Sequence, residues 1–379
     1  TRDRYRHAIE ELSRGSHHSE LEVARRAVRH ATRFRAAARD AGDLPGNGQG
    51  DPGYCLISTG RFAFERELGF RVPLKSWLLR AYVTQAAPRY LGTIAIVSGL
   101  ILAGFLHHAG VAQAGAAGML VLGLLTLIPA SDLAIAVVNR MVLALLRPHA
   151  LPKLALREGV PAELRTLVVT PTLLTGQAQI TEQIERLEVH YLANPEEELR
   201  FALLSDWRDA PTETMPEDDA LLATAVEGIA RLNRLYGNAS DGSTRFLLFH
   251  RRRMWNESEQ RWMGWERKRG KLHELNRLLR GATDTTFLLT ESQTLIVPSG
   301  VRYVITLDAD TELPRGAACR LVGTLAHPLN RPRFDPRVGR VVEGYAVLQP
   351  RVTPTLPADR DGSLFQRISS GPAGVDPYA

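Results

Sequence analysis

The sequence predicts an α/β domain built on a mostly parallel sheet, preceded by a transmembrane helical hairpin and a helical amino-terminal region. Three observations carry that reading. From Leu156 onward, short apolar runs alternate with helix-patterned segments. Before that, Leu91–Ser131 is a run of 41 residues without one charged side chain. Earlier still, residues 1–90 carry 16 basic and 10 acidic side chains on a helical pattern. At roughly 150 residues per domain, a chain of 379 residues holds two or three such units. The expected boundaries are 1–88 for the helical preface, 89–150 for the hairpin with an interfacial helix, and 151–379 for the α/β domain.

In the preface, Leu12, Leu21, Val23, Ala24, Ala27, Val28 and Ala31 fall near one helical face, with arginines on the other. Leu44–Gly53 reads as a loop and Arg61–Gly69 as a short helix. The basic face suits anionic lipid. No nucleic-acid-binding motif accompanies the charge, so nucleic acid is not an expected partner. With 44% hydrophobic and 23% charged residues, the chain is too apolar to be disordered overall. Cys55 and Cys319 offer neither a disulfide framework nor a zinc-binding spacing. The chain opens at Thr1 with no signal-peptide pattern and closes at Pro377-Tyr378-Ala379, which reads as a piece of a longer protein.

About 20 apolar residues cross the hydrocarbon core as a helix. Tyr90–Leu106 and Ala112–Ala130 approach that length, and His107-His108 between them reads as a polar turn, not a metal site. Lys75, Arg80 and Arg89 lie before the pair and Arg140, Arg147 and Lys153 after it, which places both flanks in the cytoplasm. A buried soluble hairpin is the alternative; the lack of any polar face over this length argues against it. Pro129–Leu146 is interrupted by Asp132, Asn139 and Arg140, and reads as a separate helix lying in the interface.

Strands are expected at Thr166–Thr170, stopped by Pro171, at Phe201–Leu204, at Phe246–Phe249 and at Val301–Leu307. Helices are expected at Ile180–Asn194, Asp218–Tyr236 and Lys271–Arg280. This alternation argues for a doubly wound sheet with helices on both faces, and ligands then bind beyond the carboxyl ends of the strands. Thr170-Pro171-Thr172, Asp206 and Asp308-Ala309-Asp310 are expected at that edge.

The last triplet is the sharpest chemical signal. Two carboxylates at the end of an apolar strand offer hard oxygen ligands to a divalent cation, which can share phosphate oxygens with a sugar nucleotide. The alternative is a solvated turn. No Walker or Rossmann glycine loop is present, which weakens ATPase and dehydrogenase readings. Residues 251–280 hold ten basic and four acidic side chains, with Lys268, Arg269 and Lys271 around Gly270 at a helix start, a setting suited to a diphosphate. Trp255, Trp262 and Trp265 are available to stack on sugar or uracil rings, or to pack beneath a solvated basic helix.

These residues carry a family resemblance. Phe246–Thr286, with Val168–Leu174, Ile184–Asn194, Phe201–Ala210 and Ile305–Pro314, resembles the cyclic β-1,2-glucan synthase family. Asp51–Leu56, Pro129–Asp132 and Gly371–Tyr378 extend the resemblance over nearly the whole chain. It implies a multi-pass bacterial inner-membrane enzyme whose cytosolic domain has the GT-A fold of a processive, inverting glucosyltransferase. Such an enzyme uses UDP-glucose and Mg²⁺ or Mn²⁺ to extend a β-1,2-glucan chain that is later cyclised. By the same resemblance Thr170, Pro171 and Thr172 line the uridine pocket and Asp206 contacts uracil or ribose. Lys268, Gly270 and Lys271 belong to a K-x-G-x-L element near ribose and diphosphate, and Asp308 and Asp310 hold diphosphate and metal. Gly374, Asp376 and Tyr378 lie near the acceptor. The family's general base and Q-x-x-R-W-like element have no counterpart here, so the GT-A domain is expected to be incomplete at its carboxyl end and inactive alone, its partners including the remaining carboxyl-terminal domains. A cellulose-like or chitin-like synthase and a non-catalytic membrane-anchored sugar-binding module are the alternatives.

Overall fold

A computed structural model describes residues 1–40, 48–111, 115–145, 150–288, 297–350 and 352. The chain divides into two compact units: one spans Pro152–Ala346, and the other contains Arg2–Leu151.

The Arg2–Leu151 unit is helical: α1 (Arg2–Arg14), α2 (Glu20–Asp40), α3 (Gly53–Ile57), α4 (Arg61–Glu67), α5 (Leu74–Thr84), α6 (Ala86–Val111) and α7 (Ala116–Leu145). A reciprocal cap starts α2, with Glu22 N–H donating to Ser19 Oγ (3.3 Å) and Ser19 N–H to Glu22 Oε2 (2.9 Å). Ala8 and Leu12 of α1 and Val23 and Ala27 of α2 recur four residues apart and close over Cys55, Leu56, Phe64 and Leu68. Leu21 and Val28, expected on this seam, are exposed, because the buried stripe is the four-residue series Val23, Ala27, Ala31 and they stand off it.

Two helical stretches, Ala86–His108 and Ala116–Val142, are long and apolar enough to cross a membrane, with 0% and 17% of their apolar windows buried. A soluble core helix would hide most of that surface. The structure corrects two expectations here. His107 and His108 lie within α6, close to its end, not in a turn between helices. Pro129–Leu145 is no separate interfacial helix, because α7 runs unbroken through Pro129. A proline withdraws one N–H and crowds one carbonyl, and helices in apolar surroundings absorb that defect through neighbouring groups.

The Pro152–Ala346 unit contains β1 (Thr166–Leu174), α8 (Gln177–Ala193), β2 (Leu199–Trp207), α9 (Asp218–Tyr236), β3 (Phe246–Arg251), β4 (Met254–Asn256), β5 (Arg261–Met263), α10 (Arg267–Leu278), β6 (Tyr303–Thr306), α11 (Ala317–Ala326), β7 (Arg333–Asp335) and β8 (Arg340–Glu343). The main sheet has the order β3-β2-β1-β6, all parallel, while β4–β5 and β7–β8 are antiparallel hairpins. Helices cover both faces. Val168, Leu174, Phe201, Trp207 and Phe246 pack against α8, α9 and α11. Leu167, Val169, Ala202, Leu204 and Phe249 pack against Leu275 and Leu278 of α10. Four residues of β6 pair with β1, and its other edge has no partner strand among the described residues.

β1 and β2 outrun their expected ends. Pro171 does not stop β1: it pairs with Leu204 of β2, beyond the Thr166–Val169 segment that also pairs with β6. Its missing N–H falls where β1 has one neighbour, a place where a sheet tolerates proline. Asp206 likewise lies within β2 and not after it. At Gly228 of α9 an added Cβ would stand against the Ile184 side chain of α8. Gly228→Val is expected to lower stability by about 1–3 kcal/mol through overpacking. Chemical unfolding of the detergent-solubilised chain checks this, and an unchanged midpoint would show that the two helices are not in close contact.

Candidate functional site

Side chains alternate across a sheet, so the residues of the carboxyl edge separate onto two faces. Asp206 pairs in register with Leu173 of β1 and Arg251 of β3, and both charged side chains project to the α10 face. Arg251 Nε and Nη2 donate to the two Asp206 oxygens at 2.7 and 3.0 Å. Lys271 Nζ, from the first turns of α10, lies 3.0 Å from Asp206 Oδ2 and donates to the Thr172 carbonyl at 2.7 Å. On its far side Arg251 Nη1 donates to Glu274 Oε2 at 3.1 Å. Glu274 also accepts from the Thr285 and Thr286 hydroxyls at 2.9 and 2.8 Å and from the Thr286 N–H.

The four charged groups are buried and balance two against two. Burial lowers the Lys271 pKa, with Asp206 pulling the other way. For Arg251 burial opposes the charge as well, but Asp206 and Glu274 outweigh it and hold the pKa up. Burial would raise the Glu274 carboxyl; the Thr286 N–H and hydroxyl, Arg251 and Thr285 together keep it low. Two glycines make room. A Cβ at Gly264 would come within 2.7 Å of the Asp206 carboxyl carbon, and one at Gly270 would meet the Trp265 carbonyl oxygen, which already accepts from Arg251 at 3.1 Å.

Asp308 and Asp310 follow β6, where the sequence places them. The loop beyond is held by α8: Arg186 Nη1 donates to the Ala309 carbonyl at 3.3 Å, and Asn194 Nδ2 to the Leu313 and Pro314 carbonyls at 3.3 Å. Leu307 N–H donates to Val169 O at 2.9 Å, which ties the loop's start to β1. Lys268, one turn before Lys271, pairs with Asp308. The α10 start, β6 and β2 are therefore linked through two lysines.

Not every expected donor residue joins this group. Thr170 and Thr172 share the opposite face with Val168 and Leu174, and of the triplet only the Thr172 carbonyl reaches Lys271. Thr170 Oγ1 is buried without a hydrogen-bond partner. Asp206 is 1% exposed with both oxygens engaged, so it faces no open space for a base or ribose. Gly374, Asp376 and Tyr378 lie outside the described residues. Trp255 and Trp262 meet across the β4–β5 hairpin at 5.9 Å between ring centroids, and Trp265 is half exposed beside His273.

Four residues of this arrangement escaped the sequence reading: Arg251, Glu274, Arg186 and Asn194. Arg251 was legible in one respect, as an arginine at an inward-alternating position of an apolar strand. His250, its neighbour, sits on the other face. There Ser205 Oγ and His250 Nδ1 are 2.8 Å apart, and Trp207 stands edge-on at 4.2 Å between centroids. Burial pushes the His250 pKa down to about 3.

Asp308 and Asp310 are exposed carboxylates two residues apart, and among the described residues no third His, Cys, Asp or Glu joins them in a cage. Two hard oxygens with open positions fit a Mg²⁺ or Mn²⁺ whose remaining ligands are water and phosphate.

Fold and site together define an α/β unit on a parallel four-stranded sheet with a lysine-and-carboxylate edge, in one chain with two bilayer-length apolar helices. No family model matches this chain. Over its full length, however, it is 43% identical, across 383 residues, to the cyclic beta-(1,2)-glucan synthase NdvB of Rhizobium meliloti (strain 1021). The chain spans 13% of that protein. The resemblance carried by the separate motif strings thus holds from end to end.

Two outcomes are expected. Asp206→Asn strips a carboxylate from two buried cations and is expected to cost about 3–5 kcal/mol, measured by chemical unfolding; a loss under 1 kcal/mol would show that water reaches the cluster. His250 is expected to remain neutral well below its ordinary range. Because its folded pKa is depressed, the unfolded chain binds the extra proton between about pH 6.5 and 3, and His250 disfavours folding as the pH falls through that window. Imidazole NMR shifts unchanged between pH 7 and 4.5 would agree, and a midpoint near 6.5 would refute it.

Proposed function

We propose that the Pro152–Ala346 unit is the donor-binding part of a membrane glucosyltransferase that makes β-1,2-glucan. The reading names UDP-glucose as donor, inversion at the anomeric carbon, processive extension of a glucan that is later cyclised, and a GT-A-type domain on the cytoplasmic side of a bacterial inner membrane. It is supported by one observation above others: similarity to part of a cyclic glucan synthase, running the whole length of this chain, coincides with a strand-end edge that couples Asp308 to Lys268 and Asp206 to Lys271.

Each residue has a role that its environment permits. Asp308 and Asp310 would hold the divalent cation shared with the diphosphate, and that cation supplies charge neutralisation as the nucleotide departs. Lys268 and the N–H groups at the start of α10 add positive charge where a diphosphate would lie. Lys271, Arg251 and Glu274 fix the floor of the site. Asp206 contributes by clamping Lys271 and Arg251, and Gly270 by letting α10 approach the Trp265 carbonyl. Inversion needs a base for the attacking hydroxyl, and no described residue fills that role in this reading. Thr170, Pro171 and Thr172 shape the β1 side of the nucleotide pocket through their backbone.

Calorimetric titration of UDP into the detergent-solubilised chain, with Mg²⁺ or Mn²⁺ and then with EDTA, tests the proposal, with ADP as control. UDP-selective binding lost in EDTA is expected, with at least a tenfold weakening in Asp310→Ala while the melting temperature stays unchanged. Equal affinity for UDP and ADP, or metal-independent binding unaltered in Asp310→Ala, would overturn the site assignment.

A further inference from the structure

The end of the apolar hairpin nearest α5 is built differently from an ordinary helix junction. Tyr90 Oη donates to Asn139 Oδ1 at 2.6 Å, which levels the start of α6 with the last turns of α7. Their sequence neighbours Arg89 and Arg140 therefore stand at the same end of the hairpin. Among the described residues neither guanidinium pairs with a carboxylate, and Arg89 Nη1 is shielded from solvent without any hydrogen-bond partner. One residue, Gln85, separates α6 from α5. That 11-residue helix leaves Leu74 and Trp77 72% and 56% exposed, with Leu79 and Val83 also open. Its position is nevertheless fixed: Arg80 donates to both oxygens of the buried Glu65 at 2.7 and 2.8 Å, and Tyr82 and Thr93 hydroxyls are 3.5 Å apart.

A helix held this firmly, with a tryptophan and a leucine facing outward, calls for an apolar cover. The same end of the hairpin carries unpaired guanidinium groups that call for anions. One occupant satisfies both demands. Aromatic and basic side chains gather where spanning helices meet the headgroup layer, and arginines there attract anionic phospholipid.

We propose that α5 is an interfacial helix, lying in the headgroup layer with Leu74 and Trp77 dipping into the acyl boundary, and that Arg89 and Arg140 bind the phosphates of anionic phospholipid. Through the Arg80–Glu65 contact, α5 then fixes the α1–α4 bundle at the membrane surface. This rests on α6 and α7 spanning the bilayer and is independent of the glucosyltransferase site.

The test uses the full chain in nanodiscs of phosphatidylcholine with or without phosphatidylglycerol at about one lipid in three. Acyl-brominated lipid is expected to quench emission of the chain clearly more than that of Trp77→Phe. The anionic lipid is expected to raise the melting temperature, and the Arg89→Gln/Arg140→Gln variant to lose at least half of that rise. Equal quenching of the two proteins, or a melting temperature indifferent to phosphatidylglycerol, would overturn the proposal. Alkaline carbonate extraction separates the failures: a chain stripped from vesicles refutes the spanning hairpin as well, whereas a chain that resists extraction with unquenched Trp77 refutes only the interfacial helix.

Discussion

The carboxyl edge of the parallel sheet depends on a set of buried charges that must be satisfied together. Arg251 enters the space between β2, β3 and α10, and it can stay there because Asp206 and Glu274 take its N–H groups from opposite sides. Lys271 then neutralises the excess on Asp206 and draws in the Thr172 carbonyl. Three strand ends and one helix are fixed by this one constraint. Its cost is borne by packing: Gly264 and Gly270 forgo side chains so that backbone can close over the cluster. A buried ion pair contributes little net stability relative to apolar packing, so what it provides here is a single allowed position for α10. That position sets Lys268 beside Asp308.

The scaffold was readable from hydrophobic periodicity. Asp218–Tyr236 forms as expected to the residue, and β6 leads into Asp308. Boundaries failed where polarity was taken for exposure. Ser205, Asp206 and Thr172 read as the edge of a loop because hydropathy cannot show that a carboxylate will meet an arginine 45 residues later. The same blindness hid Arg251 and Glu274. Pro171 and Pro129 misled in parallel ways, since a proline ends an element only when its N–H would have been used or its ring has no room.

Within the candidate site, the lysines and the Asp308–Asp310 pair were legible because charge at a strand end or helix start stands out against apolar neighbours. The division of the β1 triplet from Lys271 was not. It follows from the two-residue alternation of a strand whose true end lies at Leu174, and a strand thought to stop at Thr170 gives no reason to assign Thr172 to a face. Arg186 lies in a foreseen helix and Asn194 caps its end, yet their work is done on a loop more than a hundred residues away.

The short β6 strand has one more implication. Among the described residues its outer edge pairs with no strand, and Tyr303, Val304 and Ile305 along it are only partly covered. A sheet edge left open is a template for any extended segment that meets it. Handled in isolation, the polypeptide thus carries its own seed for edge-to-edge association, and its solubility will depend on whether that hydrogen-bonding rim finds an intramolecular strand before it finds another molecule.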